Sequence, residues 1–330
     1  MMKKNWSKIL AAVLVISVIA CLLAGCSDGK PSDDVIQIGV VQLVKHEALD
    51  KAYEGFVEEL AAQGYSEKIG NIKIDYQVAT GKADECATIA NQFVSDGKDL
   101  ILAIATPAAQ AAVNATSEIP VIVTAVTNPK GDCPGDNVTG TSDLGPIEAQ
   151  IKFAKELSPS LKKMGILYNS SEANSKFQAE RAKKAAKAEG IEYKEYTVTA
   201  PTELQSVVES MKGEVDVCWI PTDNTCASNM PTIKDAASSA GVMTICSESG
   251  MVNKGGLVTC GAVDYLKLGK QTGSIAVEVI KGAAPSSVEI GFQDAGENPE
   301  VIINTDVAKE FNIPSSVFDK ATKITTITEK

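Results

Sequence analysis

The chain has 330 residues, a formal net charge of −11 and 44% hydrophobic residues. This length is enough for two compact lobes rather than one small domain. The acidic charge argues against nucleic acid as a partner. The one dense basic stretch, at 181–187, alternates with alanine as a solvated helix face does.

The N-terminus has the features of an export signal. A basic start with Lys3, Lys4 and Lys8 precedes an apolar run over 9–24, which is shorter than the ~20 residues that cross a bilayer. The run closes on Leu-Ala-Gly-Cys, which resembles the lipobox of bacterial lipoproteins. We therefore predict a signal peptide over 1–26 with Cys26 lipidated. The protein would be exported and anchored by lipid to the outer face of the cell membrane, or to the periplasmic side of a membrane if the cell has an outer membrane.

Cleavage before Cys26 removes three lysines and takes the formal charge from −11 to −14. Residues 27–34 are polar and include glycine and proline, so we predict a flexible linker between the lipid and the folded body.

After the linker, short apolar runs rich in β-branched residues alternate with amphipathic segments. This βαβα order predicts a parallel sheet covered by helices on both faces. The predicted strands are 35–43, 72–78, 100–105, 121–125 and 138–142, and the predicted helices are 48–64, 83–95 and one starting at Pro107.

The same order begins again after residue 142. Predicted helices at 146–157 and 171–190 accompany predicted strands at 164–168, 191–198, 215–220, 242–246 and 257–261. The closing stretch has a helix at 265–281, strands at 288–291 and 301–304, and a helix at 307–311. A tail of this kind commonly packs back on the first lobe, so we predict lobe 1 over 35–142 plus 263–330 and lobe 2 over 143–262.

Five segments, in this order and spacing, resemble the ABC transporter substrate-binding proteins of the tryptophan/tyrosine type. They are residues 38–50 (IGVVQLVKHEALD), 104–110 (IATPAAQ), 137–143 (NVTGTSD), 168–174 (YNSSEAN) and 220–225 (IPTDNT). The resemblance implies an α/β, bilobed periplasmic-binding-protein fold of type I-like form, with two parallel-sheet lobes joined by a hinge. It also implies a small ligand in the interlobe cleft, an amino acid with an aromatic one as first candidate, and ABC permease and ATPase subunits as partners.

Ligands of open α/β sheets bind beyond the carboxyl ends of the strands, where helix N-termini present free N–H groups. In lobe 1, Thr106 suits an N-cap and Pro107 the first helical position. The backbone at Ala108 would then face a ligand carboxylate. Gln42 and Thr124 end neighbouring strands and are further candidates, and the resemblance places the loop 45–47 near the cleft mouth.

Lobe 2 offers a matching set of polar residues at strand ends. We predict that Asp223 receives a ligand ammonium group, with simple helix capping as the equal alternative. Asn169 or Ser171 would cap the helix that follows. If Asp223 does not bind the ammonium group, Glu172 or Glu248 would bind it instead. The remaining predicted ligand-binding residues of this lobe share the same strand-end position: Ser170, Asn174, Asn224 and Ser247.

Two alternatives to a solute receptor stay open: an exported enzyme that uses His46 with a cysteine or with Asp223, and a surface interaction protein. Nothing in the spacing brings a general base to a nucleophile, so we predict no enzyme activity. We predict no cofactor, because nucleotide-binding glycine motifs are missing, and no metal, because His46 is the only histidine.

The cysteine pattern leaves two readings open. Six cysteines follow Cys26, and an exported protein meets oxidants, so one or two disulfides are one reading. Buried free thiols are the other, because a fold of this size does not need disulfides.

Overall fold

The structure is a computed structural model that describes residues 35–293 and 299–313, and the backbone of 323–325. The predicted signal peptide and linker lie outside the described residues. From Ile36 onward the chain forms one compact unit, built around two sheets.

The first lobe is a six-stranded parallel sheet in the order β11-β5-β4-β3-β1-β2. Its central strands are buried along their whole length because helices cover both faces. The strands are β1 (Ile36–Gln42), β2 (Ile72–Val78), β3 (Leu100–Ile104), β4 (Val121–Val126), β5 (Val138–Ser142) and β11 (Gly291–Phe292). The helices are α1 (Glu47–Ala62), α2 (Ala83–Ser95), α3 (Thr106–Ala115), α4 (Pro129–Asp132) and α11 (Tyr265–Ile280).

The second lobe is a seven-stranded sheet in the order β13-β12-β10-β9-β8-β6-β7. Its strands are β6 (Lys163–Asn169), β7 (Glu192–Val198), β8 (Val217–Ile220), β9 (Met243–Cys246), β10 (Val258–Cys260), β12 (Val301–Asn304) and β13 (Lys323–Thr325). Its helices are α5 (Ile147–Leu157), α6 (Ala173–Ala188), α7 (Leu204–Glu209), α8 (Asn224–Ser228), α9 (Met230–Ala240), α10 (Ser249–Asn253) and α12 (Thr305–Glu310).

The tail of the chain divides between the two sheets. Helix α11 packs on α1 and β4, and β11 joins β5, all in the first lobe. Strand β12, however, pairs antiparallel with β10, and β13 pairs with β12. The prediction that all of 263–330 belongs to lobe 1 is therefore wrong for these two strands, because the apolar β12 completes the second sheet.

The predicted strand at 288–291 also needs correction. A 3₁₀ turn at Pro285–Ser287 occupies the preceding residues, and the strand runs over Gly291–Phe292. Pro285 and the two serines that follow it favour a turn over an extended strand.

The six cysteines after Cys26 are all free and buried in the described residues, which favours the free-thiol reading. Burial raises the pKa of Cys218 to about 12, so this thiol stays protonated and unreactive at neutral pH.

Candidate functional site

Loops that follow the carboxyl ends of parallel strands in both sheets meet between the lobes. Hydrogen bonds between side chains join the lobes directly. His46 Nε2 lies 3.1 Å from Asn224 Oδ1, and Gln178 Nε2 donates to Thr127 Oγ1 at 3.0 Å. A third bond runs from Asn253 Nδ2 to Glu47 Oε1 at 2.8 Å. The lobes are thus closed on each other along this surface.

The loop after β3 lies in the middle of this surface. Strand β3 is between β1 and β4 in the sheet, and the loops after both of these neighbours bond to lobe 2. Ala105 (φ 82°) and Ala125 (φ 54°) end β3 and β4 with positive φ, a strained conformation for alanine that clusters at functional sites. The strain supports a site at these two strand ends.

Thr106 is the first residue of α3, and Ala105 is the N-cap, so the prediction that Thr106 caps this helix is wrong. Thr106 is 1% exposed, and its Oγ1 has no hydrogen-bond partner among the described residues. The first N–H groups of α3 also lack intrahelical acceptors. Ala108 is buried beside them, whereas Pro107 lines an outer groove between α2 and α3.

Two lobe 1 candidates have polar groups committed within their own lobe. Thr124 Oγ1 bonds to Thr141 Oγ1 at 3.1 Å and to Thr272 Oγ1 at 2.9 Å, which ties β4 to β5 and α11. The Gln42 amide donates to Val44 O and to Asp50 Oδ1, and accepts from the Tyr76 hydroxyl. Neither residue offers a free polar atom to the cleft.

Asp223 is 1% exposed, and three protein donors already occupy its carboxylate. Oδ1 accepts from the backbone N–H of Cys226 at 2.8 Å, which caps α8. Oδ2 accepts from the backbone N–H of Asn169 at 2.6 Å and from Ser175 Oγ at 2.7 Å. The capping alternative fits this geometry, and little of the carboxylate is left for a ligand ammonium group.

Glu172 is the N-cap residue of α6 without a side-chain cap bond, so neither Asn169 nor Ser171 caps this helix as predicted. Its carboxylate accepts from the N–H and side chain of both Asn224 and Thr225. Burial raises the pKa of Glu172, whereas these donors favour the ionised form. Glu172 thus holds the loop after β8 in place.

Three other predicted residues of lobe 2, Asn169, Ser170 and Asn174, form hydrogen bonds within their own lobe. Asn169 Oδ1 accepts from the N–H of Ser171, which is exposed, and Ser170 bonds to Val198 O of the neighbouring strand. Asn174 donates to Thr222 O at 2.9 Å, and its buried Oδ1 has no partner within the part of the chain that the structure describes.

Sequence reasoning missed two buried glutamines. Gln150 Oε1 accepts from Ser247 Oγ and from Trp219 Nε1, each at 2.9 Å, and its Nε2 has no partner in the described residues. Gln178 bridges Thr127 of lobe 1 and Thr222 of lobe 2. A glutamine on an otherwise apolar helix face, as beside Ile147, Ile151 and Ala154 for Gln150, is the signal that marks such positions.

Glu248 follows β9 and is 3% exposed. Among the described carboxylates of the interlobe surface it alone has no hydrogen-bond donor, and its Oε1 lies 4.0 Å from His46 Nδ1. Burial, followed by the charges of Asp143 and Glu47, raises the pKa of Glu248 to about 8. Asp143, by contrast, accepts from Thr127 Oγ1 at 3.0 Å and from the Tyr265 hydroxyl at 2.8 Å.

Two α/β lobes that close over polar strand ends define a bilobed small-molecule-binding protein. A family model described as ABC transporter substrate binding protein matches residues 37–324. The chain belongs to this family of extracytoplasmic solute-binding proteins, which are not enzymes, and binds a small ligand as a component of an ABC transporter.

Three relatives are informative. The chain is 40% identical over 329 residues to the tyrosine-binding protein of Clostridioides difficile (strain R20291), with 94% of this chain and 93% of the relative covered. The L-tryptophan complex of an ABC domain from Streptococcus pneumoniae is 37% identical with a TM-score of 0.83, over 88% of this chain and all of that one. A ligand-free, open substrate-binding protein with adhesive properties from Clostridium difficile is 36% identical with a TM-score of 0.67, over 89% of this chain and all of that one.

Two kinds of feature are absent from the described residues. None of their helices is long and apolar enough to cross a membrane. They contain no group of three or more His, Cys, Asp or Glu residues arranged to hold a metal ion.

Proposed function

We propose that this protein is the lipid-anchored receptor of an ABC importer and captures an aromatic amino acid between its lobes. The relatives named for tyrosine and crystallised with L-tryptophan support this ligand class. The observation that carries the proposal is that the closed interlobe surface contains two hydrogen-bonding groups without a partner among the described residues. Thr106 and the N-terminus of α3 offer donors for a carboxylate, and Glu248 offers an acceptor for an ammonium group.

The closed arrangement of the lobes supports the same proposal. The ligand-bound and ligand-free relatives are nearly equal in sequence identity and coverage, yet the TM-score is 0.83 against the tryptophan complex and 0.67 against the open form. We attribute this gap to a difference in lobe arrangement. The free groups of the cleft therefore belong to the conformation that would enclose a ligand.

A thermal-shift screen of the protein from Ser27 onward against the twenty amino acids tests the ligand class. A ligand that binds only the folded protein raises Tm by mass action. We expect L-tyrosine or L-tryptophan to give the largest rise and isothermal titration to give one site per chain. If no amino acid raises Tm, the proposed ligand class is wrong.

The lipid anchor is tested separately. We expect wild-type protein expressed in a bacterial host with radiolabelled palmitate to carry label and to sediment with membranes. Cys26→Ser should lose both properties, whereas Cys21→Ser, inside the predicted signal peptide, should keep them. Soluble, unlabelled wild-type protein would contradict the anchor.

A further inference from the structure

The orientation of the Asn224 side chain is fixed by a carboxylate. Asn224 Nδ2 donates to Glu172 Oε2 at 2.6 Å, and a carboxylate oxygen in this position only accepts. The amide nitrogen therefore faces Glu172, and the amide oxygen faces His46, where Oδ1 lies 3.1 Å from Nε2. Because this oxygen accepts, the hydrogen of the bond belongs to His46 Nε2.

A neutral imidazole with its hydrogen on Nε2 has a lone pair on Nδ1. His46 is 5% exposed, and its Nδ1 has no hydrogen-bond partner among the described residues. Burial, with a smaller contribution from the charge of Lys254, lowers the pKa of His46 to about 4 against the opposing effects of Asn224 and Asp50. The ring is thus neutral at pH 7, and Nδ1 is a buried acceptor without a donor.

The second acceptor is Glu248, whose Oε1 lies 4.0 Å from His46 Nδ1. This separation is too long for a hydrogen bond between the two. If one nitrogen lay about 2.8 Å from both atoms, the directions from it to His46 Nδ1 and to Glu248 Oε1 would form an angle of about 90°. This is close to the angle between two N–H bonds of an ammonium group. A hydroxyl group has only one hydrogen and would satisfy only one of the two acceptors.

We propose that His46 Nδ1 from lobe 1 and the Glu248 carboxylate from lobe 2 together hold the ammonium group of the ligand. This inference rests on the proposed function and names His46 as a residue that selects ligands with an ammonium group. Because the two acceptors come from different lobes, the site is complete only when the cleft closes. Glu172 and Asn224 are positioning residues, since they set the ring tautomer without reaching the ligand.

Two substitutions of His46 separate this role from that of a bridge between the lobes. In His46→Asn the amide oxygen replaces Nδ1 and the bond to Asn224 is lost. In His46→Gln the amide nitrogen replaces Nε2 and keeps that bond, while the Nδ1 acceptor is lost. The measurement is the ratio of the affinities for L-tyrosine and for its deaminated analogue, 3-(4-hydroxyphenyl)propanoate, with the L-tryptophan pair alongside.

We expect His46→Gln to lower this ratio about tenfold and His46→Asn to lower it less than about threefold, since one hydrogen bond to a charged group is lost only in the former. Equal ratios in both variants, or a larger loss in His46→Asn, would overturn the inference. Failure of the wild-type protein to bind any amino acid would instead overturn the proposed function, and the ammonium site with it.

The single histidine of the chain allows a test that needs no affinity. The ¹⁵N shifts of its two ring nitrogens in histidine-labelled protein report which nitrogen carries the hydrogen. In the ligand-saturated protein at neutral pH we expect a protonated Nε2 and an unprotonated Nδ1, and we expect Asn224→Ala to abolish this preference. The opposite tautomer, or an imidazolium, in the saturated wild-type protein would overturn the inference.

Discussion

Asp223 illustrates how a buried carboxylate acts on the structure of its own lobe. Asp223→Ala leaves the backbone N–H groups of Asn169 and Cys226 without acceptors in the interior. We expect the free energy of unfolding to fall by about 2–4 kcal/mol, measured by urea denaturation followed by circular dichroism. Glu203→Ala, which removes carboxylate to backbone bonds on the exposed surface, is the control and should change stability far less. A stable Asp223→Ala protein without ligand binding would restore Asp223 as the ammonium acceptor.

Glu248 should make stability depend on pH. Its pKa is raised to about 8 in the folded protein, so ionisation opposes folding at every pH above the unfolded value and most strongly above the folded value. Asp143, Glu47 and Asp223 favour its neutral form, and Lys254 opposes them.

We therefore expect Glu248→Gln, which cannot ionise, to raise Tm of the ligand-free protein at about pH 8 and to have little effect at about pH 4. The same variant should lose affinity for the amino acid. Glu118→Gln, the same change on the exposed surface, is the control. A Tm difference that is flat with pH would show that burial does not raise this pKa.

At the level of single residues, strand-end positions are easier to predict from the sequence than side-chain contacts. Strand ends are visible in the pattern, so Thr106, Asn224 and Asp223 could be predicted to follow strands, as they do in the structure. Which donors a carboxylate meets depends on other loops: Asp223 contacts Asn169 and Ser175, distant in sequence. For this reason the hydrogen-bonded Asp223 and the unbonded Glu248 cannot be told apart from the sequence alone.

Among the elements, the contact between α1 and α11 depends on glycine. A Cβ on Gly269 would collide with the backbone oxygen of Ala52, and one on Gly55 with the backbone oxygen of Leu266. The two helix backbones therefore touch, and neither can move aside cheaply.

We expect Gly269→Ala to lower the free energy of unfolding by about 1–3 kcal/mol despite the higher helix propensity of alanine. Lys267→Ala on the exposed face of the same helix is the control and should be nearly neutral. Chemical denaturation of both variants provides the measurement, and an unchanged or increased stability of Gly269→Ala would contradict close packing of the two helices.

Most helices and strands were predictable because their hydrophobic patterns are local. The strands Ile72–Val78, Val138–Ser142 and Val301–Asn304 have the predicted bounds. Their partners are not local, and nothing in the apolar Val301–Asn304 pattern says that it pairs with β10 rather than with the first sheet. The error in the lobe boundaries follows from this difference.

For the whole molecule, closure rests on a few polar bonds that cross between the lobes. The Asn253 to Glu47 bond joins α10 of lobe 2 to α1 of lobe 1. This bond therefore stabilises the closed form, and we give it no role in contacting the ligand. A bond of this kind should slow release rather than speed capture, because it forms after the ligand has entered.

We expect Asn253→Ala to raise the dissociation rate of the amino acid about fivefold to tenfold, with the association rate and the order of preference among amino acids unchanged. Stopped-flow fluorescence measures both rates. Gln63→Ala is the matched control, because Gln63 Nε2 donates to Glu59 Oε1 at the same 2.8 Å but within lobe 1. An equal effect of the two variants would mean that the Asn253 bond has no special role in closure, and a change in preference would place Asn253 at the ligand.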